Sequence, residues 1–142
     1  MLLTLKRRPL REACFTLIEL MIVLFILGLL AALVAPRLMG RVGKAKQKAA
    51  QAQMQMLSTA LDLFHLDVGR YPSEDEGLKA LAQRPEGLSG WSGPYLDKEV
   101  PKDPWGREYI YKFPGERGPY DIYSLGADGQ PGGEGENADI TK

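Results

Sequence analysis

Oxygen-bearing side chains concentrate in the glycine-rich segment from residue 124 to residue 140, SLGADGQPGGEGENADI. The carboxylates and the asparagine in this segment are Asp128, Glu134, Glu136, Asn137 and Asp139. Calcium takes about 6–8 oxygen ligands from carboxylates, amides and backbone carbonyls, and a loop of this composition offers all three. Glycines give up much backbone entropy when they are ordered, so the segment is either held by such a ligand or solvated and partly disordered. The composition leaves both interpretations open.

Side chains that perform bond chemistry are scarce in the rest of the chain. His65 is the only histidine and Cys14 the only cysteine. No nucleophile with a histidine base is indicated, and no two carboxylates have the spacing of a paired acid and base. A single cysteine excludes an internal disulfide, and a formal net charge of zero gives no chain-wide basic surface for nucleic acid. We therefore predict a protein that is not an enzyme, with His65 at the surface or its boundary.

The run from Phe15 to Ala35 is apolar except for Thr16 and Glu19. With a rise of 1.5 Å per residue it would be roughly 31 Å long as a helix, close to the thickness of the hydrocarbon core of a bilayer. It is too long for a removable secretory signal, whose apolar stretch has about 7–15 residues. The run therefore predicts a transmembrane helix, and the carboxylate within it marks a functional position.

Both flanks of this run are basic, so the charges do not orient it in a membrane. Four basic residues precede the run, and five follow it between Arg37 and Lys48. The second group is interpreted as a solvated helix face or a contact with lipid head groups. Pairing with acidic residues of neighbouring subunits is the alternative.

After Pro36, apolar residues recur at alternating spacings of 4 and 3, as they do along one face of an α-helix. The members of this stripe are Ala50, Met54, Leu57, Leu61, Phe64 and Val68. We predict one long helix over about residues 15–68, with a kink or a local melt near Pro36, Gly40 and Gly43. Its apolar stripe requires a small domain to cover it.

Residues 69–142 must supply that domain. Ser73 and Glu76 form a capping-box pattern, which predicts a short helix to about Arg84 with Leu78 and Leu81 facing inward. Glycines and prolines between residues 85 and 94 then mark an irregular connection.

The later part of this domain has the pattern of a β-hairpin. Segments 108–112 and 120–124 alternate in side-chain character on either side of a loop rich in turn formers, which predicts two antiparallel strands. DPWG, at residues 103–106, predicts a tight turn that places Trp105 in the core against the long helix.

The N-terminal residues follow a specific order: a basic leader, FTLIEL at residues 15–20, a further apolar stretch, and Pro36. This order resembles the N-terminus of type IV pilins and type II secretion pseudopilins. A prepilin peptidase cuts such proteins on the cytoplasmic face just before the phenylalanine, and the new amine is methylated. The resemblance implies cleavage between Cys14 and Phe15, where the family usually has glycine before the cut, and N-methylation of Phe15.

This resemblance also implies how the chain is divided. Residues 1–14 would be a cytoplasmic leader that is removed. Residues 15–35 would be the transmembrane and polymerisation helix, and residues 36–142 the periplasmic domain.

Further motifs are similar to those of the major pseudopilins of the type II secretion system. They are YP at residues 71–72, EGLKAL at 76–81, GPYL at 93–96, DPWG at 103–106 and YDIYSLGADGQPGGEGENADI at 120–140. The similarity extends from about residue 13 to the C-terminus. It implies an α+β, type IV pilin-like fold, in which a long N-terminal helix with a transmembrane half and an amphipathic half packs on a small domain. That domain would contain a short helix, an antiparallel β-hairpin or sheet and a calcium-binding C-terminal loop.

In that subfamily the C-terminal loop binds Ca2+. The implied ligands are the side chains of Asp128 and Asp139 and the backbone carbonyls of Leu125 and Gln130. Ala138 occupies a position where some members have an aspartate, so Glu136 or a water molecule is the alternative for a further ligand.

The function that the resemblance implies is that of the major structural subunit of the type II secretion pseudopilus. The subunit would be a single-pass protein of the bacterial inner membrane. Through its N-terminal helix it would polymerise into a periplasmic filament that drives export of folded proteins across the outer membrane. Its partners would be other copies of itself, minor pseudopilins, the inner-membrane secretion platform and the prepilin peptidase. A major type IV pilin for adhesion or motility is the alternative, disfavoured because such pilins usually carry a C-terminal cysteine pair.

Glu19 and Pro36 are the assembly residues that this signature carries. Before cleavage, Glu19 would lie at the cytoplasmic edge of the span, where a charge costs less than the roughly 2.5–3.5 kcal/mol of the bilayer centre. After assembly, the Phe15 amine of an adjacent subunit is the expected cation. Unit charges about 4 Å apart attract by about 4 kcal/mol at an effective dielectric of about 20, before desolvation is subtracted. The pair would set the register between subunits.

Overall fold

The computed structural model describes residues 15–142, with the backbone but not the side chains of residues 37–39. The predicted leader, residues 1–14, and the predicted cleavage position at Cys14 lie outside the described residues. The chain forms two compact units that divide between Met39 and Gly40.

Helix α1 runs from Leu17 to Val68 and contains 52 residues. It begins after Thr16 because Thr16 and Glu19 form a capping box: the Thr16 amide donates to Glu19 Oε2 at 3.0 Å, and the Glu19 amide donates to Thr16 Oγ1 at 3.3 Å. The local melt that the sequence left open near Pro36 is not found, since the helix is continuous through Pro36. A proline removes one helical N–H only, and intact turns extend on both sides of it.

The second unit, residues 40–142, has its own hydrophobic core. The apolar stripe predicted along α1 is confirmed: five of its six members are fully buried and Val68 is partly buried, namely Ala50, Met54, Leu57, Leu61, Phe64 and Val68. Residues from the rest of the unit that complete this core include Leu81, Tyr109, Tyr111, Ile122 and Ile140. Trp105, which was predicted to lie in the core, is only partly buried and packs against this core. His65 is exposed and stacks on Tyr71.

The predicted short helix from Ser73 to Arg84 is wrong in its extent. The capping box does form, since the Ser73 amide donates to Glu76 Oε2 at 2.7 Å and the Glu76 amide donates to Ser73 Oγ at 3.2 Å. Gly77 follows with φ 56° and ψ −164°, which stops an α-helix. Only a 3-10 helix, Leu78–Leu81, remains, and both of its leucines are buried as predicted.

Arg70 extends this capping box. Its guanidinium binds both carboxylate oxygens of Glu76, at 2.6 Å and 2.7 Å. This hydrogen-bonded pair lowers the pKa of the Glu76 carboxyl from 4.5 to about 2. The Arg70–Glu76 pair therefore fixes the first turn of the chain after α1.

A three-stranded antiparallel sheet completes the second unit. Strands β1 (Ile110–Lys112) and β2 (Asp121–Ser124) form the predicted hairpin, with Tyr111 opposite Ile122. Strand β3 (Ile140–Thr141) pairs with β2 on its other side and was not predicted. The strand order is β1-β2-β3.

Candidate functional sites: a C-terminal loop and an N-terminal helix

The C-terminal loop, residues 125–139, connects β2 to β3. Ser124 at the end of β2 is paired with Ile140 at the start of β3, so antiparallel pairing brings the two ends of the loop together. Leu125 and Asp139, which carry two of the predicted calcium ligands, therefore lie at its base. One turn of 3-10 helix, Gly135–Asn137, is the regular structure within the loop.

Asp139 carries an unsatisfied oxygen atom at the base of this loop. Its Oδ2 accepts a hydrogen bond from the Gly132 amide at 2.9 Å. Its Oδ1 is buried and has no hydrogen-bond partner within the described part of the chain. A buried carboxylate oxygen without a partner is costly, and ligation of a cation would offset that cost. The residue therefore fits the predicted role.

Two backbone carbonyls of the C-terminal loop, those of Asn137 and Ala138, lie so close to loop glycines that a side chain there would clash with them. A Cβ added at Gly126, whose φ is +66°, would lie 2.8 Å from the Ala138 carbonyl oxygen and 2.9 Å from that of Asn137. A Cβ at Gly133 would lie 2.6 Å from the same Asn137 oxygen. The loop is therefore folded closely on itself at these glycines, although neither carbonyl belongs to the predicted ligand set.

The remaining predicted ligands lie in two different surroundings. Asp128 is exposed, and its Oδ1 accepts a hydrogen bond from the Gln130 amide at 3.0 Å, which forms a local turn. Glu136 extends toward α1, since a Cβ added at Gly43 would overlap the Glu136 side chain at Oε1. Gln47 of α1 donates to the Gly135 carbonyl at 2.5 Å and also holds this side of the loop on the helix.

Acidic side chains alone do not form a metal centre here. Among the side chains that the structure describes, no group of three or more His, Cys, Asp or Glu could hold a metal ion. The predicted ligand set needs no such group, because it combines two carboxylates with two backbone carbonyls. The observation that supports it is the unsatisfied Oδ1 of Asp139.

A support for the loop that the sequence did not predict comes from the DPWG turn. Asp103 is buried; its Oδ1 accepts hydrogen bonds from the amides of Trp105 and Arg107, and its Oδ2 accepts one from Ser124 Oγ at 2.6 Å. The Arg107 guanidinium donates to the carbonyls of Gly126 and Ala127. An aspartate at the first position of a turn is a recognisable signal, whereas no pattern in the sequence marks Arg107.

The N-terminal part of α1 is a site of a different kind. All side chains from Phe15 to Pro36 are exposed. An 18-residue window in α1 has a mean hydropathy of 2.9, and none of this window is buried. Among the described residues, α1 is the only helix that is long and apolar enough to cross a membrane. Such a surface fits a single-pass membrane anchor.

Glu19 already has a partner within its own chain. Besides the Thr16 amide, the Thr16 hydroxyl donates to Glu19 Oε2, at 2.9 Å. No cationic side chain lies within ion-pair distance of Glu19 among those that the structure describes. The capping role of Thr16 was not predicted, although TLIE, residues 16–19, has the spacing of a capping box.

The chain has a long helix whose apolar N-terminal part carries one glutamate, and a small domain with an antiparallel sheet follows it. These features define a subunit of the pilin and pseudopilin class. Two family models cover the chain in succession. The model described as "Prokaryotic N-terminal methylation motif" matches residues 13–35. The model described as "Type II secretion system (T2SS), protein G" matches residues 37–142. The chain belongs to the type II secretion system protein G family and is a subunit of the pseudopilus.

Individual relatives agree with this assignment. The type II secretion system core protein G of Pseudomonas aeruginosa is 46% identical over 133 residues, which cover 92% of this chain and 94% of the relative. The Vibrio cholerae protein of the same name is 47% identical and covers 92% of this chain and 90% of the relative. The crystal structure of the major pseudopilin from the type 2 secretion system of enterohaemorrhagic Escherichia coli superposes with a TM-score of 0.65. It is 34% identical in sequence and covers 74% of this chain and 88% of that chain.

These comparisons confirm the predicted family, the pilin-like fold and the main function. They favour a secretion pseudopilin over the alternative of an adhesive or motility pilin. The cleavage position, the calcium ligands and the assembly residues stay predictions.

Proposed function

We propose that this subunit is anchored in the bacterial inner membrane by its N-terminal helix and polymerises through that helix into a periplasmic filament. The filament would consist mainly of copies of this chain, would include minor pseudopilins, would grow on the inner-membrane secretion platform and would drive folded proteins across the outer membrane. The observation that carries the proposal is the apolar surface between Phe15 and Pro36, whose side chains are all exposed. Apolar helices that leave lipid can pack against like helices without exposing backbone.

The test is assembly of a Glu19→Leu variant. The substitution removes the only carboxylate of the apolar segment, so the variant should insert in the membrane as well as the original chain but form few filaments. Membrane fractionation and electron microscopy of sheared filaments measure the two steps separately. Normal filaments from Glu19→Leu would exclude a pairing role for this carboxylate.

Processing is the second part of the proposal. A prepilin peptidase would cut between Cys14 and Phe15 and leave Phe15 as an N-methylated first residue. Mass spectrometry of the chain from membranes should then give a mass that begins at Phe15 and carries one added methyl group. A mature chain that keeps Cys14 would contradict it.

The third part is that the C-terminal loop binds Ca2+. Asp139 and Asp128 would supply carboxylates, and Leu125 and Gln130 backbone carbonyls, with Glu136 or water as the alternative for a further ligand. The support is the buried Asp139 Oδ1 that has no hydrogen-bond partner in the described chain. When bound, the ion would fasten the two sides of the loop, a structural role that in other small domains falls to a disulfide.

Thermal melting of the full chain in detergent tests the calcium proposal. Chelator should lower the melting temperature, and the difference should vanish in Asp139→Asn and in Asp128→Ala. Asp75→Asn, which changes an exposed aspartate outside the loop, should keep the response. If chelator leaves the melting of the original chain unchanged, the loop does not depend on calcium.

A further inference from the structure

We infer that Arg107 is a positioning residue for the C-terminal loop, an inference that rests on the proposed calcium binding. Its guanidinium Nη1 donates to the Gly126 carbonyl at 2.8 Å, and its Nη2 donates to the Ala127 carbonyl at 3.1 Å. In the sequence, these two carbonyls lie between Leu125 and Gln130, the residues whose carbonyls are the predicted ligands. Arg107 therefore binds the segment that presents both ligands.

The contact extends along this segment beyond the two carbonyls. A Cβ added at Gly129 would lie 2.5 Å from Arg107 Nε and 2.6 Å from its Cζ, so the guanidinium lies against the Gly129 backbone. Gly129 also has a φ of +69°, a conformation that glycine adopts at little cost. One planar group thus contacts the chain from Gly126 to Gly129.

Arg107 can fix the loop because its own backbone is fixed. Its amide donates to Asp103 Oδ1 at 2.8 Å, and its carbonyl accepts from the Asp103 amide at 2.7 Å. Asp103 also accepts from Ser124 Oγ, and Ser124 Oγ accepts from the Gly126 amide at 3.3 Å. The turn therefore reaches the start of the loop by two routes, one through Ser124 and one through the Arg107 guanidinium.

Charge and geometry have opposite expected effects at this position. A fixed guanidinium near a bound cation repels it, so loss of the charge alone would tighten calcium binding. Loss of the two-pronged hydrogen bonding frees the carbonyl-bearing segment and would weaken binding. Groups that orient metal ligands from outside the ligand shell typically change metal affinity by about 10–100-fold when they are mutated, so the geometric effect should dominate.

The experiment is calorimetric titration of the full-length chain in detergent with CaCl2, at a temperature where every variant is folded by circular dichroism. Arg107→Lys keeps the charge but loses the planar fork, and Arg107→Gln loses both. Both variants should bind Ca2+ more weakly than the original chain, Arg107→Lys by about tenfold and Arg107→Gln by less, because it also loses the repulsion between the guanidinium and the cation. Arg84→Lys is the matched control, because Arg84 likewise holds a carbonyl with two nitrogens, that of Leu88 at 3.0 Å and 2.7 Å, in another loop. Its calcium affinity should be unchanged.

The titration separates positioning from mere stability. If the Arg107 variants melt at lower temperature but bind Ca2+ like the original chain, Arg107 is only a structural residue and the inference is wrong. Tighter binding by Arg107→Gln would show that charge repulsion is its main effect, which also overturns the inference. If the original chain itself takes up no Ca2+, the proposed function of the loop is wrong and the inference falls with it. Weaker binding by the Arg107 variants, with Arg84→Lys unchanged, supports both.

Discussion

Two capping boxes, one in each unit of the chain, show what differs between the units. Thr16 and Glu19 form the first and Ser73 and Glu76 the second, with the same reciprocal backbone hydrogen bonds. Glu76 has a cation from its own chain, Arg70, bound through both carboxylate oxygens. Glu19 has none among the described side chains. The local motif is the same, but among the described side chains only the glutamate of the second unit has a cationic partner.

The same contrast holds for apolar side chains. Phe64 in the second unit is fully buried, whereas Phe25 in the first is 73% exposed. Burial of a phenylalanine side chain contributes about 1.5–3 kcal/mol relative to exposure. The second unit obtains this contribution from its own residues, whereas in the proposed filament the first would obtain it from lipid or other subunits. Helix α1 therefore contains one segment whose apolar side chains are buried within its own unit and another whose apolar side chains are exposed.

Glu19→Gln should have the largest effect, a loss of filament assembly, and it tests whether the two glutamates differ in their need for a cation. Glutamine also serves at the third position of a capping box, so the start of α1 is kept while the charge is lost. If the charge pairs with the amine of an adjacent subunit, Glu19→Gln should assemble as poorly as Glu19→Leu in a sheared-filament assay. Assembly at the original level by Glu19→Gln alone would assign the role of Glu19 to helix capping.

Phe64→Ala should have the next largest effect, a loss of about 3–5 kcal/mol in the unfolding free energy of the second unit. Phe64 also contacts Tyr95 edge to face, with ring centroids 5.7 Å apart. Phe25→Ala should leave this free energy unchanged within about 0.5 kcal/mol. Denaturant unfolding in detergent can be followed by tryptophan fluorescence, since both tryptophans, Trp91 and Trp105, lie in the second unit. An equal loss in both variants would contradict the separation of the units.

Glu76→Gln should lower the melting temperature by a smaller amount that depends on pH. The folded pKa of about 2 lies below the ordinary 4.5, so the charged pair stabilises the fold above about pH 4.5 and this contribution is lost as the pH falls toward 2. Because the Arg70 side chain is 44% exposed, the effect at pH 7 should be about 1 kcal/mol at most. Melting curves between pH 7 and pH 2 should converge for the two chains; a constant difference would contradict the ion pair.

The sequence predicted the parts of the fold that depend on local periodicity. The stripe from Ala50 to Phe64 and the hairpin follow from spacings of residues near one another. The short helix was overextended because Gly77 enters a conformation that a capping pattern does not report. Strand β3 was missed because two residues, Ile140 and Thr141, carry no alternation, and they pair only after the preceding loop has returned the chain to β2.

The residue types of the candidate calcium site could be predicted, but the contacts that hold the loop in place could not. Acidic and glycine composition pointed to the loop, and family resemblance named Asp139. The unsatisfied oxygen of Asp139 and the contact from Arg107 depend on burial and on a hydrogen bond between residues 19 apart in sequence. Neither property is encoded in a short motif, because side chains from distant turns converge only in the folded unit.

Two glycines in α1 offer the smallest and most local test of how the loop contacts the helix. A Cβ at Gly40 meets nothing within 4 Å, whereas at Gly43 it would meet the Glu136 side chain. Gly40→Ala should therefore stabilise the chain by roughly 0.5–1 kcal/mol through helix propensity alone. Gly43→Ala should gain less, because Glu136 must move aside.

Glu136→Ala supplies the control for this pair of substitutions. In a Glu136→Ala background, Gly43→Ala should gain as much as Gly40→Ala, while the effect of Gly40→Ala should be the same in both backgrounds. Calcium-free melting curves of the single and double variants measure this, and they keep any role of Glu136 as a ligand out of the comparison. If Gly43→Ala stabilises the original chain as much as Gly40→Ala does, the Glu136 side chain does not occupy the space above Gly43, and the loop is held on α1 by Gln47 instead.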